Sequence, residues 1–112
     1  MNYNFDNKVF RVVRNDGPDA EVNEETVFYF KQTGNIVHAD YTGGRVKLGK
    51  FIGILTGNEI SFKYHQVNLN DELHSGHSRD LIEITDCGKL RLIDEWEWET
   101  KQGTGYCVME EV

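Results

Sequence analysis

The sequence predicts an all-β protein, an antiparallel up-and-down meander of about eight strands that forms a closed or nearly closed barrel. Two observations carry this prediction. Turn-forming residues recur roughly every ten residues, and the segments between them alternate between apolar and polar side chains with a period of two. Closure follows because an open meander leaves two unpaired edge strands, which promote aggregation.

Glycine and asparagine mark the turns, since both tolerate the positive φ of tight hairpins. The turn signals are Asn15–Pro18, Thr33–Asn35, Thr42–Gly44, Gly57–Asn58, Asn70–Asp71, Asp86–Gly88 and Gln102–Gly105. We place strands at 8–14, 26–32, 36–42, 45–55, 59–67, 73–84, 89–99 and 105–111.

The seventh segment alternates most clearly. Its even positions from Leu90 to Trp98 form one face and its odd positions from Arg91 to Glu99 form the other. A strand that is buried on one side requires this pattern. The fifth segment resembles it, with Ile60, Phe62, Tyr64 and Gln66 on one face.

Two segments leave an alternative open. In the second, Asn23 could cap a helix that ends before Gly34, but the β-branched and aromatic run from Thr26 to Phe30 favours a strand. In the fourth, Gly49 and Gly53 could mark a bulge or bend that lets one long strand coil around a barrel corner, or could break the run into two short strands.

Length and composition indicate a single domain over residues 1–112. A chain of this size buries a sufficient core without disulfides or metal. The net charge of −7 argues against a nucleic-acid partner, which would require a basic surface. No apolar run is long enough to cross a membrane, and the N-terminus does not resemble a secretory signal. We therefore expect a cytoplasmic protein in which Cys87 and Cys107 are free thiols, with a bridge between them as the alternative.

Six residues are candidate ligand contacts, because the predicted faces bring aromatic and polar side chains into one interior. They are Tyr41, Tyr64, Gln66, Asp94, Trp96 and Trp98. Apolar walls with a few hydrogen-bonding groups are typical of a ligand pocket, and equally of an ordinary aromatic core in which Phe62 joins them.

Asp94 is the most informative of the six, because it shares the tryptophan face. A buried carboxylate needs a partner or a shifted pKa. Asp94 could anchor a ligand, pair with an inward Arg79, or lie near water at a strand end.

Other polar groups suggest surface roles. His74 and His77 are three apart, and on a strand they would point to opposite faces, so we expect no metal site there. His38 and His65 stand alone. The row of glutamates between the tryptophans should face water and pair across strands with Arg45 or Lys47; it comprises Glu95, Glu97 and Glu99. No cofactor or catalytic site is indicated.

Several motifs together resemble a family of short bacterial proteins that is similar in outline to calycin-like barrels, the avidin and lipocalin architecture. They are Tyr41–Gly44, Gly49 with Ile52–Gly53, Phe62, Tyr64–Gln66, Gly88–Leu90, Trp96, Trp98 and Glu110–Val112. Members often carry the name N-acetylglutamate synthase, which implies an acyltransferase. The segment nearest to an acetyl-CoA loop is Gln102–Cys107, but it ends in Cys and leaves no room for the helix whose N-terminus would hold the pyrophosphate.

Three functions remain open. The first is a non-enzymatic barrel that binds a small ligand at the six aromatic and polar residues. The second is a structural or protein-interaction module with a filled core, which could form a homo-oligomer. The third, and least favoured, is the acyltransferase that the family name implies.

Overall fold

The computed structural model describes residues 3–17 and 20–112, and these form a closed antiparallel barrel. Each strand pairs with the next along the chain, and the first pairs with the last. The strands are β1 (Val9–Asp16), β2 (Val27–Thr33), β3 (Ile36–Gly43), β4 (Val46–Thr56), β5 (Glu59–Asn68), β6 (Leu73–Ile84), β7 (Leu90–Trp98) and β8 (Thr104–Glu111). The predicted meander, its eight strands and its closure are confirmed.

The second segment is the strand β2, so the helix that Asn23 could have capped does not form. Asn23 stabilises a turn instead. Its side-chain Oδ1 accepts a hydrogen bond from the backbone N–H of Glu25 at 2.8 Å, and its backbone N–H donates to Thr26 Oγ1 at 3.0 Å. This use of a short polar side chain competes with helix formation. The first turn signal is partly wrong, because Asn15 and Asp16 belong to β1, and Pro18 lies outside the described residues.

Phenylalanine side chains fill one end of the barrel. Phe10 and Phe30 lie with ring centroids 4.7 Å apart, and Phe5 packs on both at 5.8 and 5.6 Å. Phe5 comes from the segment before β1 and is fully buried. Its amide donates to Gln32 Oε1 at 2.8 Å, so the N-terminal segment is fastened across this end. The core is therefore dense here.

The segment 20–26, which precedes β2, covers the other end. Glu21 lies within it and is 1% exposed. The Glu21 carbonyl accepts a hydrogen bond from the Arg45 amide at 2.9 Å, and the Val22 carbonyl accepts one from Asn15 Nδ2 at 2.8 Å. This segment places a carboxylate inside the barrel, which the strand pattern did not predict.

Gly49 and Gly53 make room for aromatic rings. Both lie inside the single strand β4, and the register shift of that strand falls between Val46 and Leu48 instead. A Cβ on Gly49 would approach the Tyr41 ring to 2.2 Å, and one on Gly53 would approach the Phe62 ring to 2.5 Å. The prediction of one long strand is therefore confirmed, whereas the bulge at these glycines and the alternative of two short strands are wrong.

Candidate ligand cavity

A cavity lies between the phenylalanine end and the segment that carries Glu21. About 50 Å³ of it is open to the centre of a water-sized sphere, which exceeds the roughly 10–15 Å³ that a single water needs. All six predicted contact residues line it: Tyr41, Tyr64, Gln66, Asp94, Trp96 and Trp98. The strand alternation therefore identified the inward face of three different strands, β3, β5 and β7.

Aromatic rings form the wall of the cavity on the β7 side. The Trp96 and Trp98 ring centroids are 5.9 Å apart with an interplanar angle of 64°, and Tyr64 meets Trp98 edge-on at 5.5 Å. Trp96 Nε1 donates to Asn15 Oδ1 at 3.1 Å. Trp98 is 6% exposed, yet its Nε1 has no hydrogen-bond partner within residues 3–17 and 20–112.

A chain of hydrogen bonds crosses the mouth of the cavity, which is the end where Glu21 lies. Tyr41 Oη donates to Gln66 Oε1 at 2.6 Å, and Gln66 Nε2 donates to Glu21 Oε1 at 2.9 Å. Asn68 Nδ2 and Lys101 Nζ contact Glu21 Oε2 at 2.6 and 3.2 Å. Gln66, predicted to orient a ligand, is thus already bonded on both sides of its amide.

Both oxygens of the Glu21 carboxylate have hydrogen-bond donors. Burial alone would raise its pKa, but hydrogen bonds from Asn68, Gln66 and Lys101 outweigh this and lower it. Glu21 is therefore an ionised, satisfied group that fastens the covering segment to β5 and to the turn after β7.

Asp94 faces a second carboxyl group. Asp80 on β6 is its direct cross-strand neighbour. Asp80 is 0% exposed and Asp94 is 8% exposed. Ser78 Oγ donates to Asp80 Oδ1 at 3.0 Å. Among the described residues, Asp94 Oδ1 and Asp80 Oδ2 have no conventional hydrogen-bond partner.

The prediction of an inward Arg79 as the partner of Asp94 is wrong. Arg79 is exposed on the outer face and pairs with Glu59. The alternative of a strand end near water is also wrong, because Asp94 lies in the middle of β7.

Burial and mutual repulsion disfavour ionisation of both carboxyl groups. Burial raises the pKa of Asp94 to about 6, despite hydrogen bonds with Asp80 and Ser78 that lower it. Burial, followed by the charge of Asp94, raises the pKa of Asp80 well above its ordinary value. As pH rises, Asp94 therefore loses its proton first, and the pair then carries one negative charge while Asp80 still holds its proton.

The glutamates between the tryptophans lie on the outer face as predicted, but their partners differ. Glu99 accepts from Lys63 and His77, each at 2.8 Å, and Glu97 lies 3.2 Å from His77. Lys47 pairs with Asp71 instead, so the expected pairing of this row with Arg45 or Lys47 is wrong.

The histidines lie in separate surroundings. His74 contacts Thr100 Oγ1 at 2.9 Å, whereas His77 lies on the outer face. His38 and His65 are exposed. No group of three or more potential metal ligands occurs in the described part of the chain. Cys87 is exposed and Cys107 buried, and both are free thiols.

The segment Gln102–Cys107 forms a turn and the start of β8, so it does not open a helix. In the part of the chain that the structure describes, no helix is long and apolar enough to cross a membrane.

The chain belongs to the avidin-like protein family, whose family model matches residues 3–112. This agrees with the closed eight-stranded antiparallel barrel. Comparisons with curated proteins and with solved structures gave no significant match.

Proposed function

We propose that this avidin-like barrel binds a small molecule in the cavity between Glu21 and the phenylalanine end. The observation that carries the proposal is the pair of polar groups left over in an aromatic wall. Asp94 and Trp98 line the cavity; Trp98 Nε1 has no partner among the described residues, and Asp94 has hydrogen bonds only with Asp80 and Ser78 and none with a cation. A buried polar group without a partner costs about 1–3 kcal/mol, and a ligand with matching groups would recover this energy.

The size of the cavity limits the ligand. Pockets for drug-sized molecules usually measure roughly 300–1,000 Å³, whereas this one offers about 50 Å³ to a water-sized sphere. We therefore propose that the ligand is about the size of one ring, as long as Glu21 closes its end of the cavity. The site residues are the six predicted ones, with Asp80 and Ser78 supporting Asp94 from β6.

A cavity-filling substitution tests this proposal. Cys107 lines the cavity from β8, and the adjacent Val108 does not. We expect one-ring compounds at millimolar concentration to show saturation-transfer NMR signals with the native protein and with Val108→Leu. Cys107→Leu should abolish the signals, because its side chain occupies the space.

Two outcomes would overturn the proposal. The first is the absence of any binding to the native protein across a set of one-ring compounds that vary in charge. The second is unchanged binding by a folded Cys107→Leu variant, since this would place the compounds on the outer surface.

A second candidate function is assembly through the outer face, because apolar side chains adjoin there. Ile36 and Ile54 are cross-strand neighbours on β3 and β4, and Ile52 is next on the same face. The exposed fraction is 40% for Ile36, 48% for Ile54 and 55% for Ile52. Contiguous apolar surface of this kind is typical of protein contacts.

Light scattering coupled to size exclusion tests for a homo-oligomer. If this face associates, Ile52→Lys should shift the protein to the monomer mass of 12.9 kDa. The control His65→Lys, on the exposed face of β5, should leave the oligomer intact. A native protein that is monomeric at high concentration would exclude this second function.

A further inference from the structure

The charges around the cavity are unbalanced. Two acidic side chains line it, Asp94 and Glu21, and no Lys, Arg or His is among its described lining residues. Glu21 is balanced by Lys101, whose Nζ lies 3.2 Å away. Asp94 has no cation in contact within the described part of the chain, so its charge remains uncompensated.

The free-energy cost of the uncompensated Asp94 charge indicates that the cavity lacks a positive charge. An unpaired buried charge is strongly unfavourable, and an opposite charge at contact distance removes most of the penalty. Asp80 supplies a proton but no positive charge, and Ser78 donates to Asp80. A cation delivered by the ligand would complete the group.

The aromatic wall favours the same kind of ligand. Ammonium groups are attracted to the faces of tryptophan and tyrosine rings, most strongly to tryptophan. The protein already uses this interaction once: Lys101 Nζ lies 4.6 Å from the centroid of the Trp98 ring. Trp96 and Tyr64 add rings beside it, at 5.9 and 5.5 Å from Trp98.

We propose that the cavity binds a small organic cation, a protonated amine on a one-ring or similarly compact apolar body, with the ammonium group held by Asp94. This inference rests on the proposed function and names the ligand class. An anionic ligand would meet Asp94 and Glu21 together, and a neutral one would leave Asp94 uncompensated.

A matched pair of probes tests the ligand class. Benzylamine and benzyl alcohol have the same ring and nearly the same size, and only the amine is charged at pH 7.5. We expect calorimetry to show that the native protein binds benzylamine at least about tenfold more tightly, a difference of about 1.4 kcal/mol. Asp94→Asn should remove this preference.

Glu95→Gln is the control, because it deletes the same charge from the adjacent position on the outer face of β7. It should keep the preference. Equal loss in both variants would mean that only the net charge matters, and would overturn the role of Asp94.

The outcomes separate the inference from the proposed function. If benzyl alcohol binds in the cavity as tightly as benzylamine, the inference is wrong and the ligand cavity stands. If neither compound binds, nor any other one-ring compound, both are wrong.

The pH dependence of the native protein provides a second readout that needs no variant. The titratable groups that face Asp94 are Asp80 on β6, Cys107 on β8, the tyrosines Tyr41 and Tyr64, and Glu21 in the covering segment. Protonation of Asp94 should weaken benzylamine binding as pH falls from 7.5 to 5, roughly tenfold, and leave benzyl alcohol binding unchanged. A preference that does not vary over this range would contradict the inference.

Discussion

The buried Asp80–Asp94 pair determines how the stability of this barrel responds to pH. A folded state that holds protons which the unfolded chain releases loses stability as pH rises, by up to about 1.4 kcal/mol per pH unit for each proton. Both pKa values are raised by burial. Asp94 therefore contributes this slope from about pH 4 to about pH 6, and Asp80, whose pKa is also raised, contributes it from about pH 4 upward.

Asp80→Asn should accordingly stabilise the protein at pH 7–8 and reduce the loss of stability between pH 5 and pH 8. The amide fits the site and can still donate to Asp94. The free energy of unfolding from urea titrations at several pH values measures this effect. Asp40→Asn is the control, because Asp40 pairs with Lys50 on the exposed face. Equal pH slopes in the native protein and Asp80→Asn would show that Asp80 is ionised in the folded state.

The sequence predicts the inward position of Asp94 from the period of β7, and the register of the hairpin predicts its partner. Antiparallel strands joined by a turn centred near Cys87 place Asp80 opposite Asp94, and the register confirms this. The even positions of β6 then face inward, so Arg79 cannot reach Asp94 from its odd position. Register, rather than composition, identifies the partner of an inward charge.

Glycine positions in β4 determine where the aromatic rings of the cavity wall can lie. Gly49→Ala should destabilise the barrel by about 1–3 kcal/mol, because its Cβ would overlap the Tyr41 ring. Thermal or urea unfolding measures the change. Ser61→Ala, on the exposed face of β5, is the control and should have little effect. A neutral Gly49→Ala would show that the Tyr41 ring can move, and that Tyr41 does not fix the shape of the cavity.

The segment over the mouth depends on Glu21. Glu21→Ala removes the acceptor for Gln66, Asn68 and Lys101, so we expect a loss of about 2–3 kcal/mol, since hydrogen bonds to charged groups contribute roughly 1.5–3 kcal/mol each and partial rehydration offsets some of the loss. Amide hydrogen exchange of Arg45, which donates to the Glu21 carbonyl, should accelerate. Glu24→Ala, in the same segment but exposed, should change neither. Unaltered exchange in Glu21→Ala would mean that the backbone bonds alone hold the segment.

The contribution of Glu21 has the opposite pH dependence to that of the aspartate pair. Its pKa is lowered by its partners, so its stabilisation is present above its ordinary pKa and is lost as pH falls through the folded-state value. Stability should therefore decline again in acid, below about pH 4.5. In the Glu21→Ala variant, the loss of stability at acid pH should be smaller.

The elements themselves followed from the sequence, because a period of two reports directly which side of a strand is buried. All eight strands and the inward positions of β5 and β7 were predicted. Two features escaped the pattern. A register shift in β1 between Val12 and Arg14 turns Asn15 back toward Trp96, and bulges break periodicity. Glu21 lies between strands, where no period exists to indicate burial.

The whole molecule combines a filled end with a polar, partly empty one. The phenylalanine end supplies the core that a 112-residue barrel needs. The other end carries features that reduce stability: a carboxylate without a cation in contact, an indole N–H without a partner within the described residues, and a cavity. Sites that sacrifice stability in this way are typical of function. Family membership agrees with the barrel but does not identify a ligand.

The most direct test of a ligand cavity is the indole N–H signal of Trp98 in a ¹H–¹⁵N spectrum during titration with benzylamine. The chain has two tryptophans, Trp96 and Trp98, so Trp98→Phe assigns both signals. The account predicts that the Trp98 signal shifts in a saturable manner in the native protein, and that the response is lost in Cys107→Leu. Indole signals that stay unchanged at saturating concentrations of benzylamine and of neutral one-ring compounds would contradict it.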